Sequence, residues 1–274
     1  MPELPEVETV RQTLLEFLPG LTVTDVTITL PRIVKYPDST RFAQEIVGLT
    51  FCDIERRGKY LKFIMSAGQT LVVHLRMTGQ LRYSPCDEPL PRHTHVIFQL
   101  SNGRELRYTD IRQFGTMYLA SHEQIERVAG MDRLGWEPLG EFPLAEFAAL
   151  LKKRKASVKS ILLNQEIIAG IGNIYADEAL FLAGLHPTRS ANSLTKAEVE
   201  CLHQAIREVL QAGIQMGGTS FSDYVDGLGR TGSFQHQLAV YGREGEACPR
   251  CGCQIERLKV AGRSSHYCPR CQPT

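Results

Sequence analysis

The chain has 274 residues, 43% of them apolar, with 31 Lys and Arg against 30 Asp and Glu for a net charge of +1. That length exceeds one ordinary core and suits two domains plus a small module. The near-balanced charge argues against bulk attraction to nucleic acid, and no apolar run approaches the ~18 residues of a membrane span, so a soluble cytoplasmic protein with no membrane partner is expected. Charge is unevenly placed, however. Residues 241–274 hold six Lys/Arg and three Asp/Glu, a local +3, which leaves +1 − 3 = −2 on the remainder. A basic tail on a near-neutral body permits DNA binding without establishing it.

The chain opens Met1-Pro-Glu-Leu-Pro-Glu-Val-Glu8. Removal of Met1 would leave Pro2 as a free secondary amine, and α-amino groups titrate at about pH 7.7–8.0, so part of it is nucleophilic near neutrality. Condensed with a sugar aldehyde carbon, such an amine gives an iminium with no N–H proton to lose, a lasting electron sink. Glu3 could then serve as acid or base. The plain alternative is that Pro2 only permits methionine removal and Glu3 is a surface residue. Pro5 suits a first helical turn, and Val7, Val10, Leu14, Phe17 and Leu18 recur at helical spacing until Pro19-Gly20 stops the run. Glu6 stands either as a partner of the helix dipole or as a site residue.

From Leu21 to about residue 120 the period changes to two, predicting about eight short strands in a β-sandwich or flattened barrel beside the leading helix. Ser101-Asn102-Gly103 between Val96–Leu100 and Leu106–Tyr108 is a hairpin signature. Arg56-Arg-Gly-Lys-Tyr60 reads as a basic turn between strands. His74-Leu-Arg-Met-Thr-Gly79 and Asp110-Ile-Arg-Gln-Phe-Gly115 are two further polar clusters. Met77, Arg112 and Phe114 make chemical sense where a base leaves the stack, because apolar wedges and a guanidinium can fill the void, although taken singly Met77 and Phe114 are more often core residues. His74 and His93 are candidate phosphate donors, although a lone histidine of this kind is more often structural.

Residues 131–143 mix Gly and Pro without periodicity and read as a linker after a 1–130 domain. A helical domain over 144–216 follows. Its basic run Lys152-Lys-Arg-Lys155, with Arg154, either meets phosphates or is solvated. Ile167–Glu178 crosses two glycines into a helix headed near Asn173, and a helix head can receive a phosphate. Thr195-Lys-Ala-Glu198 is a capping box for the next helix. Residues 217–240, rich in Gly and Ser, form a long loop, which is usually functional or disordered. In the 241–274 module, Cys248-Pro-Arg-Cys251 and Cys268-Pro-Arg-Cys271 are separated by 16 residues. This is four-thiolate zinc spacing, and so short a hairpin needs a metal to hold it. Cys52, Cys86, Cys201 and Cys253 are spare thiols.

The opening octapeptide, the clusters at 74–79 and 110–115, the 167–178 stretch and the paired Cys-x-x-Cys turns resemble the bacterial formamidopyrimidine-DNA glycosylases, at family spacing from residue 2 to 272. The resemblance implies an α+β protein: an N-terminal β-sandwich with a leading helix, a helix–two-turn–helix domain, a lesion-capping loop over 217–240 and a zinc-binding β-hairpin. It implies a bifunctional glycosylase and lyase, acting as a monomer on double-stranded DNA that contains an oxidised purine or an abasic site, with one structural Zn2+ and association with the nucleoid. Pro2 would be the nucleophile, Glu3 the proton-transfer group, and Lys59 and Arg263 supporting catalytic residues. His74, Met77, His93, Arg112, Phe114, Arg154, Lys159 and Asn173 would contact DNA, Met77, Arg112 and Phe114 as void fillers. Glu6, Thr219 and Ser220 would line the base pocket, and Cys248, Cys251, Cys268 and Cys271 would hold zinc. Gln113 departs from the basic residue usual in the family, which puts one phosphate contact in doubt. Two alternatives stay open: an endonuclease VIII-like enzyme for oxidised pyrimidines, against which Leu4 and the 77/112/114 set argue, and a non-catalytic zinc-ribbon DNA-binding protein.

Overall fold

Pro5 starts the first helix where its missing N–H costs nothing: α1 runs Leu4–Leu15, with Val7, Val10 and Leu14 fully inside, but it stops short of the predicted Pro19-Gly20 end, leaving Phe17 exposed and Leu18 buried beyond it. This is a computed structural model, and it describes residues 1–221 and 223–274; Ser222, inside the predicted capping loop, lies outside the described residues. The contacts define two units, Met1–Arg133 with Met216–Ser233, and Leu134–Gln215 with Phe234–Thr274.

In the first unit the strands are β1 (Val23–Ile28), β2 (Val34–Tyr36), β3 (Phe51–Arg57), β4 (Tyr60–Met65), β5 (Gln69–His74), β6 (Gly79–Pro85), β7 (Thr94–Leu100), β8 (Arg104–Asp110) and β9 (Thr116–Ser121). They form two sheets, ordered β1-β7-β8-β6 and β2-β9-β5-β4-β3. The residues facing inward from both sheets and from α1 make one core, including Phe42, Phe51, Phe63, Leu71, Phe98 and Leu106. Each such side chain removed from water contributes about 1.5–3 kcal/mol. The 96–108 hairpin is present, with Phe98 opposite Leu106. Strand β4 shows a half-buried alternation, whereas β5, central in its sheet, is buried on both faces.

Two described α-helices in this unit, α2 (Ser39–Ile46) and a single turn after β9, are absent from the sequence reading. Segment α2 is capped by Asp38, whose carboxylate accepts from the N–H groups of Thr40 and Arg41. It buries only Phe42 and Ile46, too few apolar positions for its period to stand out among the strands.

The second unit contains α4 (Leu144–Lys152), α5 (Val158–Leu163), α6 (Asn173–Leu182), α7 (Lys196–Gln215) and the hairpin β10 (Glu256–Val260)/β11 (Arg263–Tyr267); the one-turn α3 (Ile125–Val128) precedes it in the first unit. The predicted capping box of α7 is formed, with Thr195 N–H on Glu198 Oε2 at 2.7 Å and Glu198 N–H on Thr195 Oγ1 at 3.3 Å. Between α5 and α6, Gln165 holds the double turn by donating to Ile171 O and accepting from Gly170 N–H. Part of the stretch read as a linker is packed here: Trp136 N–H donates to Ile167 O, and Ala169 N–H to Trp136 O.

Candidate functional site

Both Pro2 and Glu3 are buried at the head of α1. Glu6, one turn in, is 2% exposed, and its carboxylate is committed at both oxygens: Oε2 accepts from Glu3 N–H and Oε1 from Thr219 N–H, each at 2.8 Å. Tyr224 adds a hydroxyl bond to Glu6 O at 3.2 Å. Gly218, at φ +83, sits where a side chain would be strained and tight, a Cβ there lying 3.0 Å from Glu6 Cγ and Oε1. Ser220 Oγ donates to Tyr224 O and accepts from Gly232 N–H, folding the loop back on itself. Pro2, Glu3, Glu6, Thr219 and Ser220 are thus gathered at one place although the sequence separates them by more than 200 positions.

Lys59 follows Gly58 in the β3–β4 turn and is buried. The turn is fixed by Arg56, which donates through Nε to Glu8 Oε2 at 2.9 Å and through a terminal nitrogen to Gly58 O at 3.1 Å. Burial opposes ionisation of Glu8, but Arg11 and Arg56 outweigh it and hold that carboxyl below the usual range. Helix α1 and the lysine-bearing turn are therefore joined by a partly buried ion pair.

His74, at the end of β5, is 6% exposed, and burial, then Arg76 and Lys59, bring its imidazole down to about 3. Its Nδ1 accepts from Arg76 N–H at 2.9 Å, which leaves the proton of the neutral ring on Nε2. His74 is thus a neutral imidazole at pH 7. A histidine whose folded pKa is depressed stabilises the protein above its ordinary value near 6.5 and loses that contribution as pH falls toward 3. Urea unfolding at pH 7.5 and 5 is expected to show a larger loss in the wild type than in His74→Gln, by up to about 1.4 kcal/mol per pH unit. Equal losses would contradict the burial argument. His93 has an exposed ring and a left-handed backbone, φ +64.

Met77, Arg112 and Phe114 all project from short loops of the first unit. Met77 is 39% and Phe114 52% exposed, and the Arg112 guanidinium lies 5.0 Å from the Phe114 ring centre. The guanidinium is attracted to the ring face, and both apolar side chains would gain by being covered by a partner. Gln113 accepts a hydrogen bond from Arg32, so a guanidinium stands beside it.

In the second unit, Asn173 begins α6 and donates to Ser264 O at 2.9 Å, while Arg154 is exposed beyond α4. Lys159 is placed differently from the surface contact expected of it: it is fully buried, and its ammonium donates to Asp177 Oδ1 at 2.5 Å, Ser265 Oγ at 2.6 Å and Ser264 O at 2.9 Å. Asp177 Oδ2 in turn accepts from His266 N–H at 3.0 Å. This network fastens β11, whose first residue is the exposed Arg263, to α5 and α6. Glu178, next along α6, accepts from the N–H groups of Ala239, Val240 and Tyr241 at 2.8–3.0 Å, and burial outweighs those bonds to raise its carboxyl. Asp177 and Glu178 carry no role in the sequence reading. Two adjacent acids on a helix that is otherwise apolar are the signal that could have marked them.

The four cysteine sulfurs at 248, 251, 268 and 271 lie within 4.8 Å of one another, with Cys248–Cys271 at 3.9 Å and Cys251–Cys268 at 3.4 Å. A zinc–sulfur bond of about 2.3 Å implies tetrahedral edges near ~3.8 Å, so the donor set and its spacing fit. Burial and the neighbouring thiols push Cys271 up to about 12, while the Cys253 N–H draws Cys251 down to about 6. Four ionised sulfurs therefore need a cation among them. Cys253 lends backbone to the turn, accepting from Cys248 N–H at 2.7 Å, but is not one of the four.

Family models match the chain in three parts: the formamidopyrimidine-DNA glycosylase N-terminal domain over residues 1–117, the formamidopyrimidine-DNA glycosylase H2TH domain over 134–225, and a zinc finger found in FPG and IleRS over 245–274. A formamidopyrimidine-DNA glycosylase of Desulforamulus reducens is 51% identical, with 94% of each chain covered. One of Heliobacterium modesticaldum is 52% identical at the same coverage. The chain belongs to the formamidopyrimidine-DNA glycosylase family. Among solved structures of the family, a complex between the Lactococcus lactis protein and abasic-site DNA superposes at a TM-score of 0.93 with 41% identity, covering 99% of this chain and 100% of that one. Another, with DNA containing a ring-opened guanine, Fapy-dG, gives a TM-score of 0.92 at 40% identity with the same coverage. The architecture expected of the family is the one observed, an N-terminal pair of sheets, the helix–two-turn–helix and a cysteine-rich hairpin that holds one structural zinc ion. No helix among the described residues is long and apolar enough to cross a membrane.

Proposed function

We infer that this chain is a base-excision-repair DNA glycosylase that removes oxidised purines, 8-oxoguanine and formamidopyrimidines, from duplex DNA and then cleaves the abasic strand as a lyase. The observation that carries the reading is the buried head of α1, where Pro2 and Glu3 meet a Glu6 carboxylate locked to the Thr219 backbone. Family membership supports this reading over the pyrimidine-directed and binding-only alternatives. With Met1 removed, the Pro2 nitrogen bonds to C1′ as the glycosidic bond breaks, and the departing base takes that electron pair together with the proton that the nitrogen sheds. Glu3 protonates the ring oxygen as the sugar opens. The cationic iminium then accepts the electron pair of the C2′–H bond once that proton is taken, expelling the 3′ phosphate; a second elimination releases the 5′ phosphate and leaves a one-nucleotide gap.

In this scheme Lys59 and Arg263 support the proton transfers and the second elimination. Met77, Arg112 and Phe114 fill the space vacated by the everted base, and Glu6, Thr219 and Ser220 border its pocket. His74 through Nε2–H, His93, Arg154 and Asn173 serve backbone phosphates, and Lys159 braces the hairpin that carries Arg263. The 217–240 segment caps the lesion. The protein acts as a monomer on genomic DNA in the cytoplasm, at the nucleoid. The substrate class is tested by parallel time courses on duplexes carrying one 8-oxoguanine opposite cytosine or one thymine glycol opposite adenine. The oxidised purine is expected to be excised at least about tenfold faster, and the reverse order would replace this reading with the pyrimidine-directed one.

A further inference from the structure

Asp110 is the last residue of β8, fully buried, and no step of the mechanism uses it. Its carboxylate takes three donors. Thr78 Oγ1 donates to Oδ1 at 2.5 Å, and Gly115 N–H and Tyr108 OH donate to Oδ2 at 2.8 and 3.1 Å. The main chain of the same residue is equally engaged: its carbonyl accepts from His95 Nε2 at 3.0 Å, and its N–H donates to His93 O at 3.0 Å. Thr78 then accepts from Arg112 N–H at 3.0 Å through the same hydroxyl that donates to Asp110. One carboxylate thus links the loop that carries Met77, through its neighbour Thr78, to the loop that carries Arg112 and Phe114, through Gly115 and Arg112.

Two further observations single out this place. Tyr108 can reach Asp110 only because Gly79 and Gly115 lack side chains: a Cβ on them would stand 2.6 and 1.6 Å from the Tyr108 hydroxyl oxygen. Both glycines are therefore required by close approach, not by backbone angle. The neighbouring main chain is also strained. Of the five non-glycine residues with positive φ among those described, Arg76, His93 and Gln113 lie in the segments that Asp110 joins. Left-handed backbone at such residues persists only where the surroundings over-determine it, and such strain gathers at functional sites. Burial and the adjacent carboxylate raise Tyr108, which keeps its hydroxyl a donor at every physiological pH.

We propose that Asp110, with Thr78 and Tyr108, is a latch that holds the Met77 loop and the Arg112–Phe114 loop as one rigid wedge, so that the three void-filling side chains enter the duplex together. The latch rests on the wedge reading of those three residues given above. A wedge must oppose the restacking of a base, so looseness between its halves penalises eversion before any bond is broken. On a duplex whose lesion is already an abasic site there is no base to expel, and the demand on the wedge is smaller.

The test is the isosteric pair Thr78→Val and Thr78→Ser, with Asp110→Asn and the wedge variant Phe114→Ala alongside. Each is assayed in single turnover on 8-oxoguanine duplex and on abasic-site duplex. A 2-aminopurine beside the lesion reports unstacking by its fluorescence. Thr78→Val and Asp110→Asn are expected to slow 8-oxoguanine excision by about tenfold or more, and to slow and diminish the fluorescence rise, while abasic-site cleavage falls severalfold less. Thr78→Ser, which keeps the hydroxyl, is expected to restore both. Equal losses on both substrates with a lowered melting temperature, or wild-type behaviour of Thr78→Val while Phe114→Ala loses excision, would overturn the latch and leave the wedge reading standing. Undiminished excision by Phe114→Ala would remove the wedge reading and the latch with it.

Discussion

Borohydride added to the processed protein and a duplex carrying one 8-oxoguanine opposite cytosine will trap a covalent adduct through residue 2. Pro2→Gly will lower base release and trapping by on the order of 10²–10⁴-fold, the scale on which loss of a reacting group is felt. Two features of the chain set that expectation. The first is chemical: a secondary amine forms an iminium that cannot shed a proton to a neutral imine, so glycine at the same place gives a weaker electron sink. The second is positional. Pro2 is buried one residue before the Glu3 cap, whose N–H is pinned by Glu6, itself pinned to Thr219, so the nitrogen is held where a flexible terminus would wander. Glycine removes the ring that limits that freedom. Mass analysis of the N-terminus accompanies the assay, because retained Met1 makes residue 2 an amide. An adduct mapped to Lys59 instead, or wild-type rates for Pro2→Gly with a confirmed free terminus, would reject proline as the nucleophile.

Removal of zinc is the second large effect. Chelation, or Cys251→Ser, is expected to release one zinc per chain and abolish detectable binding to lesion duplex. The small core beneath the cysteine turns consists of Phe181, Val240, Cys248, Ile255 and Cys268, with two ligands counted among its five members. That is too little apolar surface to hold residues 248–271 alone, whereas structural zinc supplies roughly 10–16 kcal/mol of apparent folding free energy at neutral pH. Arg263 begins the second strand of the hairpin and loses its place with it. Because each sulfur must be ionised to bind, zinc release is also expected to grow as pH falls. Cys253→Ser is the control, since that sulfur stands outside the four-ligand set. Zinc stoichiometry by mass spectrometry checks both variants. Full zinc content and full DNA affinity in Cys251→Ser would reject the four-cysteine site.

Local patterns were legible in the sequence wherever the partners lie within a few residues of one another. The helix after Pro5, the 96–108 hairpin, the Thr195–Glu198 box and the paired Cys-x-x-Cys turns each depend on spacing that the chain itself specifies. Other features depend on partners that no local period reports. Strand β2 pairs in parallel with β9 across some 80 residues, and the described part of the 217–240 segment divides at Ser233, the earlier residues belonging with the sheets and the later ones with the helices. The DNA contact expected of Lys159 came from the resemblance alone, and His74 was left between a phosphate donor and a structural histidine. Their burial follows from what packs over them, Ser264, Ser265 and Asp177 for the one, and Tyr60 with the Arg76 turn for the other.

By itself, then, the sequence determined the chemistry available to this protein: a proline at position 2 beside a carboxylate, four thiolates at zinc spacing, and apolar and cationic side chains of the kind that can replace a base. Those are properties of residue types and short intervals. Tertiary structure alone decided which groups are spent on holding others. Glu6 became a clamp when Thr219 arrived from 213 positions away, and Asp110 became the junction of two loops when β8 delivered it beneath Thr78 and Gly115. The reason is that a buried polar group must find its partners wherever the packed chain supplies them, and that choice is made by the fold as a whole.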